Sequence, residues 1–212
     1  MKRVLAILVI MGGILSLIST PEFSLAKEFL DKIEREYGTL AKRRTLALIA
    51  TMNDVRDHNE KEKLEAINEF FNAVPYASDQ TVWGVSDYWE TRLEFLGKDR
   101  GDCEDYVIAK YFTLLELGVS SKKLSLFYVK SLKYNVAHLV LAYYETPQTV
   151  PLILDNYNFR VLPATQRTDL IPISSFSGED LMNAKQAALG KIVPASAKQT
   201  RPWDELIIRR KD

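Results

Sequence analysis

The residues of this chain best suited to chemistry are one cysteine, one histidine and one aspartate at separated positions. Cys103 is the only cysteine among 212 residues, His138 follows it by 35 residues, and Asp155 follows His138 by 17 residues. A thiol becomes a nucleophile when an imidazole takes its proton and a carboxylate orients the resulting imidazolium. Each of the three lies at the end of a predicted element, where side chains converge. The pattern predicts acyl chemistry at Cys103.

Each of these residues also has an ordinary structural explanation. A lone cysteine at a helix start is commonly a small buried residue, and a histidine on a strand is commonly a satisfied core residue. Asp155 precedes Asn156 and also fits a turn. For each residue taken singly, the structural explanation is stronger than the catalytic one. The order of a helix cysteine, a strand histidine and a strand aspartate nevertheless favours a catalytic set. The second histidine, His58, lies in a polar loop and is interpreted as solvated surface.

Three carboxylates crowd the cysteine, at Asp102, Glu104 and Asp105. Negative charge beside a thiol raises its pKa, although acids in the first turn of a helix also interact favourably with the helix dipole. Three acids within four residues exceed what capping requires, so we expect a bound cation. Oxygen-only ligands favour Ca²⁺, and Asp87 is a candidate for a further ligand. Zinc is disfavoured because no other cysteine and histidine set remains to bind it.

An aromatic segment precedes the cysteine, and Trp83 is its candidate for lining a cleft. Trp83 is followed by Gly84 in a predicted loop, and its indole N–H is a candidate donor to an oxyanion. Core packing is the alternative explanation, and it applies with more force to Tyr88 and Trp89. We therefore expect Trp83 at the edge of the site.

Helical periodicity in the first half of the chain and strand-like runs in the second half predict an α+β fold. The helix that starts at Cys103 is largely apolar, so we expect a central helix packed on an antiparallel sheet. The other predicted helices span Ala26–Tyr37, Leu40–Arg56, Lys61–Ala73, Asp87–Leu96 and Glu179–Leu189. The predicted strands span Leu124–Lys130, Ala137–Glu145, Pro151–Asp155, Phe159–Leu162 and Glu205–Arg209, with a loop at Pro163–Pro172.

Residues 1–26 have the features of a secretory signal peptide. A basic start precedes an apolar run at 4–18, and Ser24-Leu25-Ala26 supplies small residues for cleavage. The run of about 15 residues is shorter than the ~20 that span a bilayer, which disfavours the alternative of a membrane anchor. We therefore expect cleavage after Ala26, export to the periplasm or beyond, and a single domain at 27–212.

The charges of the chain are balanced, with 28 basic and 28 acidic residues. The sequence contains no basic stripe with interleaved aromatic residues, so nucleic acid is not an expected partner. It also contains no second apolar run long enough to span a membrane.

Three segments resemble the bacterial transglutaminase-like cysteine proteinases. They are Gly101-Asp102-Cys103-Glu104-Asp105-Tyr106, Ala137-His138-Leu139-Val140-Leu141 and Leu154-Asp155-Asn156, and the upstream run at 83–89 also fits. The resemblance implies a papain-like fold of the transglutaminase type. It also implies Cys103 as nucleophile, His138 as base and Asp155 as the residue that orients the base.

The same resemblance implies a metal, a substrate and a regulator. The metal is calcium, held by Asp102 and Glu104 with Asp105 beside them; the substrate is a large surface adhesin cut near its N-terminus. The regulator is an inner-membrane receptor for cyclic di-GMP that sequesters the protease. We therefore expect a periplasmic, calcium-dependent cysteine endopeptidase that releases the adhesin and controls biofilm attachment. Two alternatives stay open: an amidase or transglutaminase with the same three residues, and a non-catalytic binding module with a vestigial site.

Overall fold

The computed structural model describes residues 22–177 and 205–210, and in them helices precede a sheet. The helices that come first are α1 (Lys27–Tyr37), α2 (Thr39–Val55), α3 (Glu60–Asn72), α4 (Asp79–Val82), α5 (Arg92–Lys98) and α6 (Cys103–Glu116). The strands that follow are β1 (Leu124–Ser131), β2 (Val136–Tyr143), β3 (Leu152–Leu154), β4 (Leu162–Pro163) and β5 (Leu170–Ser177). The predicted α+β class is confirmed.

The described strands form one antiparallel sheet in the order β4-β3-β2-β1-β5. β1 and β2 are rich in β-branched and aromatic residues and pair along their full lengths, with Leu124 opposite Tyr143. On its other side, β2 pairs with β3 along its last three residues only, and Leu154 lies opposite Leu141. The residue after β3 therefore lies next to Val140, where the part of β2 begins that no described strand pairs with on this side.

The helix α6 lies at the centre of the core, as its apolar sequence predicts. All ten residues from Asp105 to Leu114 are buried, and the helix packs against α3, α5 and β2. The loop before α6 approaches it closely at Gly101. A Cβ at Gly101 would lie 2.5 Å from Oδ2 of Asp105 and 2.9 Å from the ring of Phe95, so only glycine fits.

The helix predicted at Asp87–Leu96 is wrong in its start. The observed helix α5 begins at Arg92, and residues 87–91 have no regular structure. Thr91 and Glu94 explain the boundary through a reciprocal capping box. The N–H of Glu94 donates to Oγ1 of Thr91 at 3.1 Å, and the N–H of Thr91 donates to Oε2 of Glu94 at 2.7 Å.

Several predictions for the C-terminal part are also wrong. Residues 205–209 form a helical turn rather than a strand, and Leu206 is fully buried in the core that helices and sheet share. The loop predicted at Pro163–Pro172 contains part of β4 and the start of β5. The strand predicted at Phe159–Leu162 overlaps β4 only at its last residue. The helix predicted at Glu179–Leu189 lies outside the described residues.

The predicted signal peptide lies outside the described residues except for 22–26. There, the backbone N–H of Phe23 donates to Oδ1 of Asn53 at 2.7 Å, and the carbonyl of Phe23 accepts from Nδ2 of Asn53 at 2.9 Å. Cleavage after Ala26 stays a prediction. Within 22–177 and 205–210, none of the helices combines the length and the apolar character needed to cross a membrane.

Candidate active site

The pairing of β2 with β3 brings His138 and Asp155 together. His138 is the third residue of β2, and Asp155 directly follows β3. Nε2 of His138 lies 2.7 Å from Oδ1 of Asp155, and both side chains are fully buried. Burial opposes ionisation, but hydrogen bonds from His138, the Tyr157 backbone and Arg167 hold the pKa of Asp155 below its usual value. The carboxylate is therefore ionised and orients the imidazole.

The contact with Asp155 assigns roles to the two imidazole nitrogens of His138. An ionised carboxylate only accepts hydrogen bonds, so in the neutral imidazole the proton is assigned to Nε2. Nδ1 is buried and has no hydrogen-bond partner among the described residues. The lone pair of Nδ1 is therefore the one available to take a proton from a thiol.

Cys103 is the first residue of α6, and its sulfur lies beside the strand residue that follows His138. The backbone N–H of Leu139 lies close enough to Sγ of Cys103 to favour its ionised form. Sγ also lies 2.8 Å from Oε2 of Glu104, so the thiol donates to Glu104 rather than to His138 in this arrangement. Burial and the charge of Glu104 raise the pKa of the Cys103 thiol, while the N–H of Leu139 lowers it.

Tyr157 covers His138, a contact that the sequence did not predict. The two rings are parallel within 7°, and their centroids lie 4.0 Å apart. The backbone N–H of Tyr157 donates to Oδ1 of Asp155 at 2.9 Å, the same oxygen that contacts His138. Burial and the charge of the nearby Cys103 raise the pKa of the Tyr157 phenol to about 12. Tyr157 therefore contacts both members of the pair and lies near the sulfur.

Carboxylates from two segments meet next to Cys103. Oxygens of Asp79, Asp87 and Glu104 lie within 4.8 Å of one another, and an oxygen of Asp102 lies within that distance of Asp79. Oδ1 of Asp79 and Oδ1 of Asp102 are buried without a partner in the described residues. Burial and neighbouring acids raise the pKa of Asp79 to about 6 and that of Asp102 to about 8. Such oxygen-only donors with unused lone pairs fit a hard divalent cation.

Asp105 and Asp79 have roles that the sequence did not assign to them. Oδ1 of Asp105 accepts the N–H of Glu90, and Oδ2 accepts the N–H of Asp102, both at 2.8 Å. Asp105 is therefore better placed to hold the loop before Cys103 than to bind a metal, although it lies within 4.8 Å of Asp79 and Asp102. Asp79, which sequence reasoning missed, lies far from Cys103 along the chain and resembles an ordinary first-turn acid.

Trp83 is not positioned as the oxyanion donor that we expected. Its indole N–H donates to Oε1 of Glu90 at 2.5 Å, and its ring lies against Tyr88 with Nζ of Lys98 4.5 Å from the ring centroid. Burial raises the pKa of Glu90 to about 8. Because the indole N–H is engaged by one oxygen of this buried carboxyl group, it is not available as the expected oxyanion donor in this arrangement.

Three tyrosines form a partly exposed surface beside His138, which we call the aromatic rim: Tyr76, Tyr134 and Tyr157. The ring centroid of Tyr157 lies 4.6 Å from that of Tyr134 and 6.4 Å from that of Tyr76. The N–H of Ala77 donates to the carbonyl of Gly101 at 2.9 Å, which ties the Tyr76 segment to the loop before α6. Amphipathic rings on this surface suit contact with an extended peptide.

A family model described as bacterial transglutaminase-like cysteine proteinase BTLCP matches residues 42–174. That range contains Cys103, His138, Asp155 and the acidic residues around Cys103. No curated protein matches the chain.

Solved structures of Legionella pneumophila LapG resemble the chain over most of its length. One has a TM-score of 0.69 and 34% identity, over 87% of this chain and 97% of that chain. A calcium-bound form has a TM-score of 0.64 and 39% identity, over 73% and 86%. An EGTA-treated form has a TM-score of 0.69 and 33% identity, over 87% and 97%. With the site and fold described above, these similarities show that the chain is a cysteine protease and belongs to the family of bacterial transglutaminase-like cysteine proteinases.

Proposed function

We propose that this chain is a periplasmic, calcium-dependent endopeptidase that cuts a large surface adhesin near its N-terminus. The cut releases the adhesin and so controls biofilm attachment. The observation that carries the proposal is the buried pair of His138 and Asp155 beside the start of α6, where Cys103 lies. Cys103 acts as nucleophile, His138 as base, and Asp155 as the residue that orients His138.

In the first half of the reaction, Nδ1 of His138 takes the thiol proton and Sγ of Cys103 attacks the peptide carbonyl carbon. The carbonyl oxygen becomes an oxyanion. Backbone N–H groups in the first turn of α6 stabilise it, because they have no partner within the helix. The C–N bond then breaks, and the imidazolium of His138 gives its proton to the leaving amine. A thioester on Cys103 remains.

In the second half, water attacks the thioester carbon while Nδ1 of His138 takes a proton from that water. The C–S bond breaks, the acid product leaves, and the proton returns from His138 to the sulfur of Cys103. Asp155 stays ionised throughout and stabilises each imidazolium through Oδ1.

The carboxylates that crowd Cys103 would hold calcium. Asp79, Asp87, Asp102 and Glu104 would supply the oxygens, and the similar LapG structure is calcium-bound. Calcium there would offset the negative charge around the thiol, whose proton Glu104 accepts in this arrangement. Because the donors come from both the 79–87 segment and the start of α6, a bound ion would also hold these two segments together.

The choice of substrate, regulator and compartment rests on the sequence motifs. The motifs around Cys103, His138 and Asp155 resemble those of adhesin-releasing proteases that an inner-membrane cyclic di-GMP receptor sequesters. Residues 1–26 support export to the periplasm. The aromatic rim supplies a surface for an extended segment of a protein substrate.

The test is incubation of the purified protein with the N-terminal region of a large surface adhesin from the same organism. We expect a single cut in calcium, no cut in excess EGTA, and no cut by a folded Cys103→Ala variant. Full cleavage in excess chelator would contradict the calcium requirement. Failure to cut any adhesin, by a protein that cleaves unrelated peptides, would contradict the proposed substrate.

A further inference from the structure

The carboxylate of Asp155 has a second buried partner, on the side away from His138. Nη2 of Arg167 donates to Oδ2 of Asp155 at 2.6 Å, whereas His138 contacts Oδ1. The side chains of Asp155, His138 and Arg167 are each at most 2% exposed. The two oxygens of one carboxylate are thus divided between an imidazole and a guanidinium, away from bulk water.

Arg167 is itself fixed by Asp169. Nε of Arg167 donates to Oδ1 of Asp169 at 2.9 Å, and Nη2 donates to Oδ2 at 2.8 Å, a two-pronged contact that sets the plane of the guanidinium. The carbonyl of Asp169 accepts the N–H of Leu132 at 2.8 Å, which ties the segment to the end of β1. The N–H of Arg167 donates to the carbonyl of Ala164 at 3.0 Å. The arginine is therefore a rigid donor rather than a flexible surface cation.

This arrangement restricts rotation of the Asp155 carboxylate about its Cβ–Cγ bond. A hydrogen bond to Oδ2 from a fixed donor holds the carboxylate plane, so Oδ1 stays directed at Nε2 of His138. That contact keeps the proton on Nε2 and leaves the lone pair of Nδ1 free for the thiol. Without the guanidinium, Oδ2 would be a buried acceptor with no charged partner, which favours rotation or protonation of the carboxylate.

We propose that Arg167 is a positioning residue of the protease, which holds Asp155 in the orientation that keeps His138 in its catalytic tautomer. Asp169 supports it by fixing the guanidinium. This inference rests on the proposed role of Asp155 and does not depend on which protein the enzyme cuts. A solely structural role for Arg167 would change stability without changing the state of the imidazole.

The two histidines of the chain make a direct test possible. Nitrogen-15 NMR of histidine-labelled protein reports the tautomer of His138, with the half-exposed His58 as an internal reference. We expect the wild type to show a slowly exchanging Nε2 proton on His138. In Arg167→Met this proton resonance shifts or is lost, and His58 does not change. The kcat for a peptide substrate falls about 10- to 100-fold with KM little changed, because orientation rather than binding is lost.

Two further variants keep the test decisive. Arg167→Lys retains a charge but not the two-pronged fork, and we expect an intermediate shift of the His138 signals. Asp169→Asn, at a side chain that is 43% exposed, should fold and shift the same signals by less, even where Arg167→Met fails to fold. Arg160→Met is the matched control, because Arg160 is exposed and follows Asp155 closely. Unchanged His138 signals in Asp169→Asn or in folded Arg167→Met would overturn the proposal, whatever the activity on adhesin.

Discussion

A single carboxylate oxygen accepts two hydrogen bonds beside the imidazole of His138. Oδ1 of Asp155 accepts both from Nε2 of His138 and from the backbone N–H of Tyr157, whose ring lies flat on the imidazole. A stacked ring limits rotation of the imidazole and keeps water from its bond to the carboxylate, and a dry environment strengthens that bond. Of the two contributions of Tyr157, only the stacking depends on its side chain.

The stacking contribution predicts different effects for two substitutions of Tyr157. Tyr157→Phe keeps the ring, so we expect kcat for a peptide substrate close to that of the wild type. Tyr157→Ala removes the ring and lets the imidazole of His138 move, so kcat should fall by about tenfold or more. Steady-state kinetics of both purified variants measure this. Equal losses in the two variants would instead assign the effect to the phenol hydroxyl.

Residues whose side chains are themselves reactive could be predicted from the sequence, whereas the residues that hold them in place could not. Cys103 and His138 are rare residues in this chain, and their spacing from Asp155 indicates a set. Arg167 lies in a segment that the sequence indicates as a loop, and only the fold places its guanidinium on Asp155. Asp79 is likewise distant from Cys103 along the chain, and an acid at a helix start carries no metal signal by itself.

At the scale of elements, the start of α6 and the segment that begins with α4 share one acidic cluster. The N–H of Tyr88 donates to Oδ2 of Asp79 at 2.7 Å, and Asp105 accepts N–H groups from Glu90 and Asp102. These contacts bring carboxylates together against their mutual repulsion. A cation bound by these carboxylates would therefore join two elements as well as balance their charge.

This geometry predicts that calcium stabilises the fold. At calcium 100-fold above its dissociation constant, we expect the free energy of unfolding to rise by about 2.7 kcal/mol, with a higher Tm. Asp79→Asn should lose most of that gain, because it replaces a buried ligand carboxylate with a neutral amide. Glu65→Gln, at an exposed acid on α3, is the control and should keep the gain. Differential scanning calorimetry with and without calcium measures it, and an equal gain in both variants would contradict the assignment of Asp79.

The same cluster predicts a pH dependence of calcium binding. Asp79 and Asp102 have pKa values raised to about 6 and about 8, with burial as the main cause. Carboxylates must release their protons before they bind metal, so affinity should rise as pH increases from 6 to 8. Isothermal titration calorimetry at pH 6, 7 and 8 measures this trend. A dissociation constant that does not change over the range would show that these groups are not ligands.

Element boundaries were harder to predict than the elements themselves, whether local capping or tertiary packing decided them. The sequence contains the capping box of Thr91 and Glu94, which sets the observed start of α5. Ser86 is also a residue type that caps helices, and the helix was predicted to start directly after it. The strand β5 has the sequence LIPISSFS, whose proline and serines lack simple alternation, and it forms because β1 offers a partner. Residues 205–209 form a helical turn whose Leu206 packs into the main hydrophobic core, a long-range contact that the local sequence does not indicate.

At the scale of the whole molecule, a buried lysine connects the core to the site. Lys110 of α6 is 0% exposed, and its Nζ donates to Oδ1 of Asn72 at 2.6 Å. Nδ2 of Asn72 in turn donates to the backbone carbonyl of Asp155 at 2.8 Å. Burial lowers the pKa of Lys110 to about 7, which the charge of Asp155 opposes. The lysine is therefore an ionisable group held inside the core.

This burial predicts how stability depends on pH. Below pH 7 Lys110 is charged in both states, and between 7 and 10.5 only the unfolded chain keeps the proton. The free energy of unfolding should therefore rise with pH in that window, by up to roughly 1.4 kcal/mol per pH unit from this residue. Lys110→Met should remove that contribution, whereas Lys130→Met, at an exposed site, should retain it. Urea denaturation at pH 7, 8 and 9 measures the slopes, and equal slopes in wild type and Lys110→Met would contradict the expected shift.

The general architecture was predictable because the helical and strand-like patterns fall in separate halves of the chain. The central position of α6 followed from its apolar sequence, which is buried from Asp105 to Leu114. The order of strands did not follow from the sequence, because β5 crosses to the far side of β1. That crossing determines where Arg167 and Asp169, just before β5, approach the site.

The central claim is that His138 and Asp155 activate Cys103, and alkylation of the single thiol tests it directly. Because Cys103 is the only cysteine, one added mass in intact-protein mass spectrometry reports its reaction with iodoacetamide. The rate is compared at mildly acidic pH in saturating calcium, which would offset the acids that raise the pKa of the thiol, for the wild type, His138→Ala and the Arg160→Met control. The account predicts fast reaction in the wild type and the control, and at least about tenfold slower reaction without His138. Equal rates in all three proteins would contradict it.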